Sequence, residues 1–208
     1  MKQRTGFDEK MQKIKRAYLI LALFWSMPLS LTAQKNNGTQ KTSHRIGFVI
    51  GRGTQLGMQV KYRYHLVLLP LPEYYRSIWQ KKVWSLNVLI HPQFNLTRLR
   101  PVDERPELKN GYEFGLNCGL VFRYTPTQKL GIYAGLSAGP HYVSTTPTRQ
   151  ARGFIFSDNA FGGMNLKCAK NTWIDLRIGF RHISNAGLRE PNGGVNNLML
   201  SGGCLFDL

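Results

Sequence analysis

Apolar and polar residues alternate along most of the chain, from about residue 44 to residue 208. The clearest segment runs from Tyr112 to Tyr124, where every second residue is apolar and those between are mostly polar or small. This period of two is typical of a β-strand, because successive side chains point to opposite faces. Turn residues separate the segments. The predicted strands cover residues 44–51, 58–68, 84–96, 112–124, 130–139, 159–168, 171–184 and 196–208.

The pattern predicts an all-β fold, an eight-stranded antiparallel transmembrane β-barrel of the bacterial outer membrane. A soluble sandwich or a lipocalin-like barrel also has alternating strands. The polar faces here are rich in Gly, Ser, Asn and Arg, which suits a narrow barrel filled by side chains and some water. Aromatic residues near strand ends match the interfacial girdles of such barrels. These residues are Trp84, Tyr112, Tyr124 and Trp173.

The N-terminus has the residue order of a secretory signal. Basic residues at 13–16 precede a short apolar run, and Leu31-Thr32-Ala33 offers a small-residue cleavage site. An uncleaved N-terminal anchor is the alternative. After residue 33 no apolar run reaches about 20 residues, so membrane insertion would use strands. We therefore expect a signal peptide over 1–33, a short N-terminal periplasmic segment over 34–43 and the barrel domain over 44–208.

Connection lengths orient the predicted barrel, because short turns face the periplasm and longer loops face outside. Connections 125–129 and 169–171 are short, whereas 97–111, 143–153 and 185–195 are longer. The segment 69–82 breaks this rule as a long connection at the short-turn end. It is either a bulky turn or a misread strand boundary. Pro92 either weakens the third strand or marks a bulge in it.

The formal net charge is +17, and most of this excess remains without the predicted signal peptide. A basic excess suggests a polyanionic partner, either nucleic acid or phosphorylated lipid. An exported protein has little nucleic acid to bind, so the expected partner is an outer-leaflet glycolipid. The other outer-membrane lipids would surround the barrel. A solvated charged surface is the plainer alternative. The basic residues predicted at the outer rim are Arg98, Arg100, Arg105, Lys109, Arg149, Arg152 and Arg189.

Two smaller groups of residues carry no predicted chemistry. Cys118, Cys168 and Cys204 match no metal spacing, cannot all pair, and fall on the apolar faces of their strands, where a thiol packs as a small hydrophobe. The histidines on polar faces are expected inside the barrel as hydrogen-bonding residues. They are His65, His91 and His141.

The end of the seventh predicted strand departs from the alternation. His182 and Ser184 continue the otherwise apolar face of Ile178 and Phe180, which is predicted to meet lipid at the outer rim. A serine hydroxyl becomes a good nucleophile only beside a base, and same-face neighbours on a strand provide roughly that distance. Histidine at neutral pH can take the proton and return it. A His–Ser pair on a strand is otherwise more often plain surface polarity.

The stretch Phe180-Arg181-His182-Ile183-Ser184-Asn185-Ala186-Gly187-Leu188, with Pro191-Asn192 and Gly194, resembles the outer-membrane lipid A 3-O-deacylase family. Its members are PagL-type enzymes, with related proteins called acyloxyacyl hydrolases. Specific similarity covers about the last 40 residues. The resemblance implies Ser184 as nucleophile, His182 as base and backbone oxyanion donors around Asn185 and Gly187. It implies no metal and no diffusible cofactor.

The acidic third residue of that family falls on Asn196 in this chain. Its amide oxygen could accept the Nδ1–H of His182, as asparagine does in Cys-His-Asn sites, but it offers no negative charge. With the amide reversed, the loss of rate could approach about 10⁴-fold. Glu190, in the preceding loop, is the alternative acid. Spacing and strand parity favour Asn196.

The sequence therefore predicts an outer-membrane esterase that hydrolyses an ester-linked acyl chain of lipid A or a related glycolipid. The alternative is a non-catalytic small outer-membrane barrel, a structural or adhesion protein that retains the deacylase scaffold. A homodimer is left open by the sequence.

Overall fold

The computed structural model of the protein describes residues 43–57, 62–101 and 108–208. The predicted signal peptide, residues 1–33, lies outside the described residues, as does the predicted periplasmic segment up to residue 42. In the described ranges no helix is long and apolar enough to cross a membrane. The strands are β1 (His44–Gln55), β2 (Tyr62–Leu68), β3 (Pro72–Lys81), β4 (Trp84–Pro101), β5 (Lys109–Thr127), β6 (Leu130–Val143), β7 (Gly153–Ala169), β8 (Thr172–Ser184) and β9 (Val195–Asp207).

The strands form a closed antiparallel barrel. Each strand from β4 to β9 pairs with the next, and β9 pairs with β1 from Arg45 to Gln55, which closes the ring. Strands β2 and β3 share one position between β1 and β4. Strand β2 pairs with residues 51–54 of β1 and 95–101 of β4, whereas β3 pairs with residues 44–48 of β1 and 84–90 of β4. The predicted eight-stranded antiparallel barrel is confirmed, with one of its eight positions filled by two short strands.

The segment 69–82 is a misread strand boundary rather than a bulky turn. Most of it is β3, and only Lys82 and Val83 separate β3 from β4. The break between β2 and β3 is short, and there the Leu69 N–H donates to the Phe94 carbonyl at 2.9 Å. Alternate residues of a strand direct their backbone groups to the same neighbour, so residue 92 faces this break as Phe94 does. The N–H that proline lacks is therefore not needed for a strand pairing there. No bulge occurs at Pro92 against β5.

The two ends of the barrel differ in their connections. The turns at 82–83, 128–129 and 170–171 lie at one end, together with the start of β1 and the end of β9. The strand ends that flank the longer connections lie at the other end: Gln55 and Tyr62, Pro101 and Lys109, Val143 and Gly153, and Ser184 and Val195. In outer-membrane barrels the short turns face the periplasm. The long connections, and the outer end of β8, therefore face the cell exterior.

The outward faces of the strands form an exposed apolar band. Large apolar side chains are 39–66% exposed at Ile90, Phe114, Leu120, Leu136, Phe154, Ile178 and Leu200. Water would penalise a surface of this kind, whereas lipid chains cover it. Cys118, Cys168 and Cys204 are unpaired and lie on this band, as their parity predicted.

Aromatic side chains ring the band at both ends. Trp84 contacts Tyr124 in a tilted arrangement near the periplasmic turns, with ring centroids 4.3 Å apart. Tyr112 lies among other outward aromatics near the exterior. Trp173 was wrongly predicted as a girdle residue. It is buried in the lumen, where its indole N–H donates to Asp207 at 2.8 Å.

The predicted faces of β2 are also wrong. Tyr64 and Leu66 point into the lumen, whereas Arg63 and His65 point outward, so His65 is not an interior residue. The physical reason is an apolar plug that fills the outer end of the lumen. It contains Tyr64, Leu66, Leu99, Val143, Ile155, Ile183 and Val195. On β2 the apolar residues therefore pack in the plug and the polar residues face outward.

Below the plug, buried ion pairs tie β8 to strands across the lumen. Arg177 contacts Glu73 and Asp175, each at 2.9 Å. Arg181 contacts Glu113 at 2.6 Å, and both side chains are almost fully buried. Guanidinium and carboxylate groups are costly to bury unless they pair. These contacts therefore fix which residues of β8 face inward.

Removal of one carboxylate should destabilise the barrel. Glu113→Gln leaves the buried Arg181 guanidinium without its counter-charge, and we expect the free energy of unfolding to fall by about 3–5 kcal/mol. Urea unfolding of the protein in lipid vesicles, followed by tryptophan fluorescence, measures this change. Glu190→Gln, on an exposed loop residue, is the control and should leave the unfolding midpoint unchanged. A loss below about 1 kcal/mol for Glu113→Gln would contradict the role of the ion pair.

Candidate active site

His182 and Ser184 occupy the outward face of β8 at its exterior end. Their neighbours Arg181 and Ile183 point into the lumen and are at most 1% exposed. His182 and Ser184 are half-buried by the strands and loops beside them. The two side chains therefore face the outer leaflet, in agreement with their strand parity.

His182 is hydrogen-bonded to Asn196 on the neighbouring strand. The two residues are direct cross-strand partners between β8 and β9, and His182 Nδ1 lies 2.6 Å from Asn196 Oδ1. An amide oxygen only accepts, so Nδ1 is the donor in this contact, and in a neutral imidazole Nε2 would then be the nitrogen without a proton. This is the tautomer that a base acting through Nε2 requires.

Ser184 is the last residue of β8 and pairs with Phe156 on β7. Residues two apart on a strand have Cα atoms about 6.6 Å apart, so Ser184 and His182 are near neighbours on one face. No hydrogen bond joins these two described side chains. The pair is thus assembled on one face but is not a closed hydrogen-bonded dyad in this arrangement.

The chain turns sharply directly after Ser184. Ala186 and Gly187 have φ values of 53° and 77°, and the Leu188 N–H donates to the Asn185 carbonyl at 3.0 Å. Positive φ at both central residues is the geometry of a type I′ turn, in which glycine is favoured. The Asn185 side chain is buried and supports the turn, since its amide donates to the Arg189 carbonyl at 2.6 Å.

The two predicted oxyanion donors already have acceptors within this loop. The backbone N–H of Asn185 donates to Asn192 Oδ1 at 2.9 Å, and that of Gly187 donates to Asn185 Oδ1 at 3.1 Å. A substrate oxygen would therefore have to replace these side-chain oxygens. Sequence reasoning could not anticipate this arrangement, because it depends on side-chain contacts within the loop.

A second loop holds the segment that covers His182. Gln150 is buried, and its Oε1 accepts the Gly194 N–H at 2.9 Å. The Gly193 N–H donates to the Arg149 carbonyl at 2.6 Å, and the Ala151 N–H to the Pro191 carbonyl at 2.7 Å. Loops 144–152 and 185–194 are thereby joined as one unit. Gln150 carried no sequence signal, since its partner lies 44 residues away.

Gly194 is the point at which this unit touches the imidazole. Its φ is +65°, and a β-carbon at this position would lie 2.6 Å from His182 Cε1. Only glycine combines this backbone conformation with so close an approach. The loop unit therefore limits where the His182 ring can move.

Two carboxylates lie near this region. Glu190 is exposed in the loop, and no hydrogen bond or ion pair joins it to His182 among the described residues. Asp158 was missed by the sequence reasoning: it is exposed on the outward face of β7 and is the direct cross-strand partner of His182. Its even strand parity was the signal that could have identified it.

The fold and the site together define an outer-membrane β-barrel with a histidine–serine pair on its lipid-facing surface. The family model for "Lipid A 3-O-deacylase (PagL)" matches residues 69–204, and the chain belongs to this family. The family and the fold place the protein in the bacterial outer membrane as a barrel of the lipid A deacylase type. No curated protein sequence is significantly similar to the chain.

Solved structures of outer-membrane barrels are similar to the chain. The crystal structure of the outer membrane enzyme PagL has 16% sequence identity to the chain and a TM-score of 0.50, and the alignment covers 74% of this chain and 97% of that one. The outer membrane protein OprG from Pseudomonas aeruginosa has 8% identity and a TM-score of 0.44, with 81% and 97% covered. Neisserial surface protein A has 12% identity and a TM-score of 0.44, with 80% and 97% covered.

The contact between Gln150 and Gly194 can be tested without an activity assay. Gln150→Ala removes the acceptor of the Gly194 N–H, so we expect the Gly194 amide to exchange with solvent roughly tenfold faster. Hydrogen exchange followed by NMR in detergent micelles measures the rate, with the Leu200 amide of β9 as an internal reference. Unchanged exchange at Gly194 would show that Gln150 does not hold the loop.

Proposed function

We propose that the protein is an outer-membrane esterase that hydrolyses an ester-linked acyl chain of lipid A or a related glycolipid. The observation that carries this proposal is the 2.6 Å contact between His182 Nδ1 and Asn196 Oδ1 on the outward face of a deacylase-family barrel. It orients the His182 ring on the outward face that also carries Ser184, at the end of the barrel that faces the outer leaflet. A base in the right tautomer beside a hydroxyl is the requirement for nucleophilic catalysis.

In the proposed reaction, Ser184 Oγ attacks the acyl carbonyl while His182 Nε2 takes the hydroxyl proton. The backbone N–H groups of Asn185 and Gly187 hold the developing oxyanion after the substrate oxygen displaces their loop acceptors. His182 then donates its proton to the departing sugar oxygen, which leaves an acyl-enzyme. Water, activated by His182, attacks the acyl carbonyl and releases the fatty acid and the free Ser184 hydroxyl. Catalytic hydrogen bonds often close only with substrate bound, which accommodates the open Ser184–His182 pair.

An apolar groove beside His182 suits the acyl chain of such a substrate. The groove has a volume of about 1100 Å³ and its lining is overwhelmingly apolar. Small outward residues open it between larger neighbours. Its lining includes Leu120, Leu136, Ala138, Ala160, Ile178, Phe180 and His182. A hydrocarbon chain lying in the groove would bring its ester to the exterior end of β8.

Outward arginines near the exterior end suit the phosphate groups of a glycolipid. Arg63 on β2 lies directly opposite Arg100 on β4, and Arg52 and Arg98 are exposed on the same side of the barrel. Like charges placed opposite one another are destabilising, and none of the four pairs with a carboxylate in the part of the chain that the structure describes. Phosphate in the outer leaflet would supply the missing negative charge. These arginines therefore favour a phosphorylated glycolipid over a neutral lipid.

The second candidate is a non-catalytic barrel that retains the deacylase scaffold. Two observations favour it: residue 196 is an amide rather than an acid, and the predicted oxyanion donors are occupied within the loop. Enzyme and scaffold differ in whether Ser184 reacts.

The first test is the release of fatty acid from lipid A, measured by mass spectrometry of the lipid. Ser184→Ala removes the nucleophile, so we expect the rate to fall by about a thousandfold or more. Ser77→Ala, which changes a buried lumen-facing serine away from the groove, is the matched control and should retain the parent rate. Equal release from parent and Ser184→Ala, or no release from either, would support the scaffold instead.

The second test restores the carboxylate at position 196. Asn196→Asp keeps an acceptor for the His182 Nδ1–H and adds a negative charge beside the imidazolium that forms during catalysis. We expect the rate of fatty-acid release to rise by about tenfold or more. Asn196→Ala, which lacks any acceptor, should lower the rate, and a rise with alanine would rule out the orienting role of Asn196.

A further inference from the structure

We propose that Asp158 supplies the negative charge that the site lacks at Asn196, and that it acts as a positioning residue for His182. This inference rests on the proposed esterase function. Asn196 would fix the imidazole tautomer, and Asp158 would stabilise the imidazolium. The two tasks that a triad acid usually combines would then be divided between strands on either side of β8.

The register of the barrel places Asp158 beside His182. Asp158 on β7 and Asn196 on β9 are the direct cross-strand partners of His182 on its two sides. All three side chains point outward, so they form a row across β7, β8 and β9. Direct cross-strand partners have β-carbons about 4.5–5.5 Å apart, which is close enough for their side chains to interact.

Asp158 is an unusual residue for its position. Among the strands in the described part of the chain, it is the only acidic residue that faces outward. The other strand carboxylates, at Glu73, Glu113, Asp175 and Asp207, each contact an arginine. No lysine or arginine lies within 4.0 Å of Asp158 in the described residues. A carboxylate on the lipid-facing side costs free energy, so its position beside His182 calls for a function.

The surroundings of Asp158 strengthen its effect on His182. Both residues line the apolar groove, together with Ala160 and Phe180. An acyl chain in the groove would exclude water, and a lower local dielectric strengthens the attraction between a carboxylate and an imidazolium. The Asp158 carboxylate lies more than 4.0 Å from the imidazole nitrogens, and Nδ1 is already held by Asn196. Asp158 therefore acts through charge and not through a hydrogen bond to Nδ1.

Asp158→Asn removes the charge and keeps the shape of the side chain. We expect kcat for fatty-acid release to fall about tenfold with little change in KM, because the imidazolium is less stable. The acid limb of the pH–rate profile should move to lower pH, because removal of a nearby negative charge disfavours the imidazolium. Asp158→Glu should retain activity within about threefold of the parent. Heat-modifiable mobility on electrophoresis checks that each variant has folded.

A double variant separates charge from simple damage to the groove. In an Asn196→Asp background the carboxylate at 196 already stabilises the imidazolium, so Asp158→Asn should lower kcat by less than about threefold. An undiminished tenfold loss in that background would show that Asp158 does not act through His182. If Glu190→Gln lowered kcat and Asp158→Asn did not, the proposal would be overturned in favour of Glu190.

A readout independent of activity keeps the two proposals distinguishable. The ring signals of His182, followed by NMR in the Ser184→Ala protein, should titrate at lower pH when Asp158 is changed to Asn. An unchanged titration would overturn the role of Asp158 even if Ser184→Ala abolishes fatty-acid release. If the parent protein releases no fatty acid, the esterase proposal fails, while this titration still decides whether Asp158 acts on His182.

Discussion

The buried ion pairs of β8 determine which way its outer end faces. Arg177 and Arg181 reach carboxylates inside the lumen, and neither guanidinium could move into lipid without a large desolvation cost. Strand side chains alternate with a period of two, so a slip of one residue would exchange the two faces along the whole strand. With the arginines held inside, His182 and Ser184 must face outward. The position of the candidate site is therefore a consequence of the lumen chemistry.

The barrel then brings other groups to the same place. Register alone aligns Asp158, His182 and Asn196 across three strands. Above them, Gln150 secures Gly194 against the imidazole ring, so the outward side chain is restrained by the loops as well as by the sheet. A rigid lumen and a joined pair of loops hold the polar groups at the end of a surface that otherwise favours lipid. These contacts restrain the position of the His182 ring before any ligand binds.

The regular part of this architecture could be predicted from the sequence. Segments such as 112–124 and 171–184 alternate cleanly because one face meets lipid and the other a polar lumen. The same rule fails for β2, where Tyr64 and Leu66 join the apolar plug and Arg63 and His65 face outward. It also fails at β3, because Pro70 in the break and Pro72 at the start of the strand resemble the prolines of a turn, although β3 continues β2 beyond that break.

The loops could not be predicted, since their contacts join residues far apart in sequence. The occupied N–H groups of Asn185 and Gly187 belong to this class, as does the contact of Gln150 with Gly194. Asp158 belongs to another class, because its parity was visible in the sequence. Its position beside His182 becomes evident only from the pairing register of β7 and β8.

Covalent labelling tests most directly whether the outward Ser184 is a nucleophile. A long-chain alkyl fluorophosphonate reacts with an activated serine, with loss of fluoride and formation of a bond from Oγ to phosphorus. Mass spectrometry of peptides from the folded protein in lipid vesicles locates the adduct. We predict a single adduct on Ser184 that disappears when the protein is unfolded before labelling. An unlabelled folded protein, or an adduct on another serine, would contradict the account.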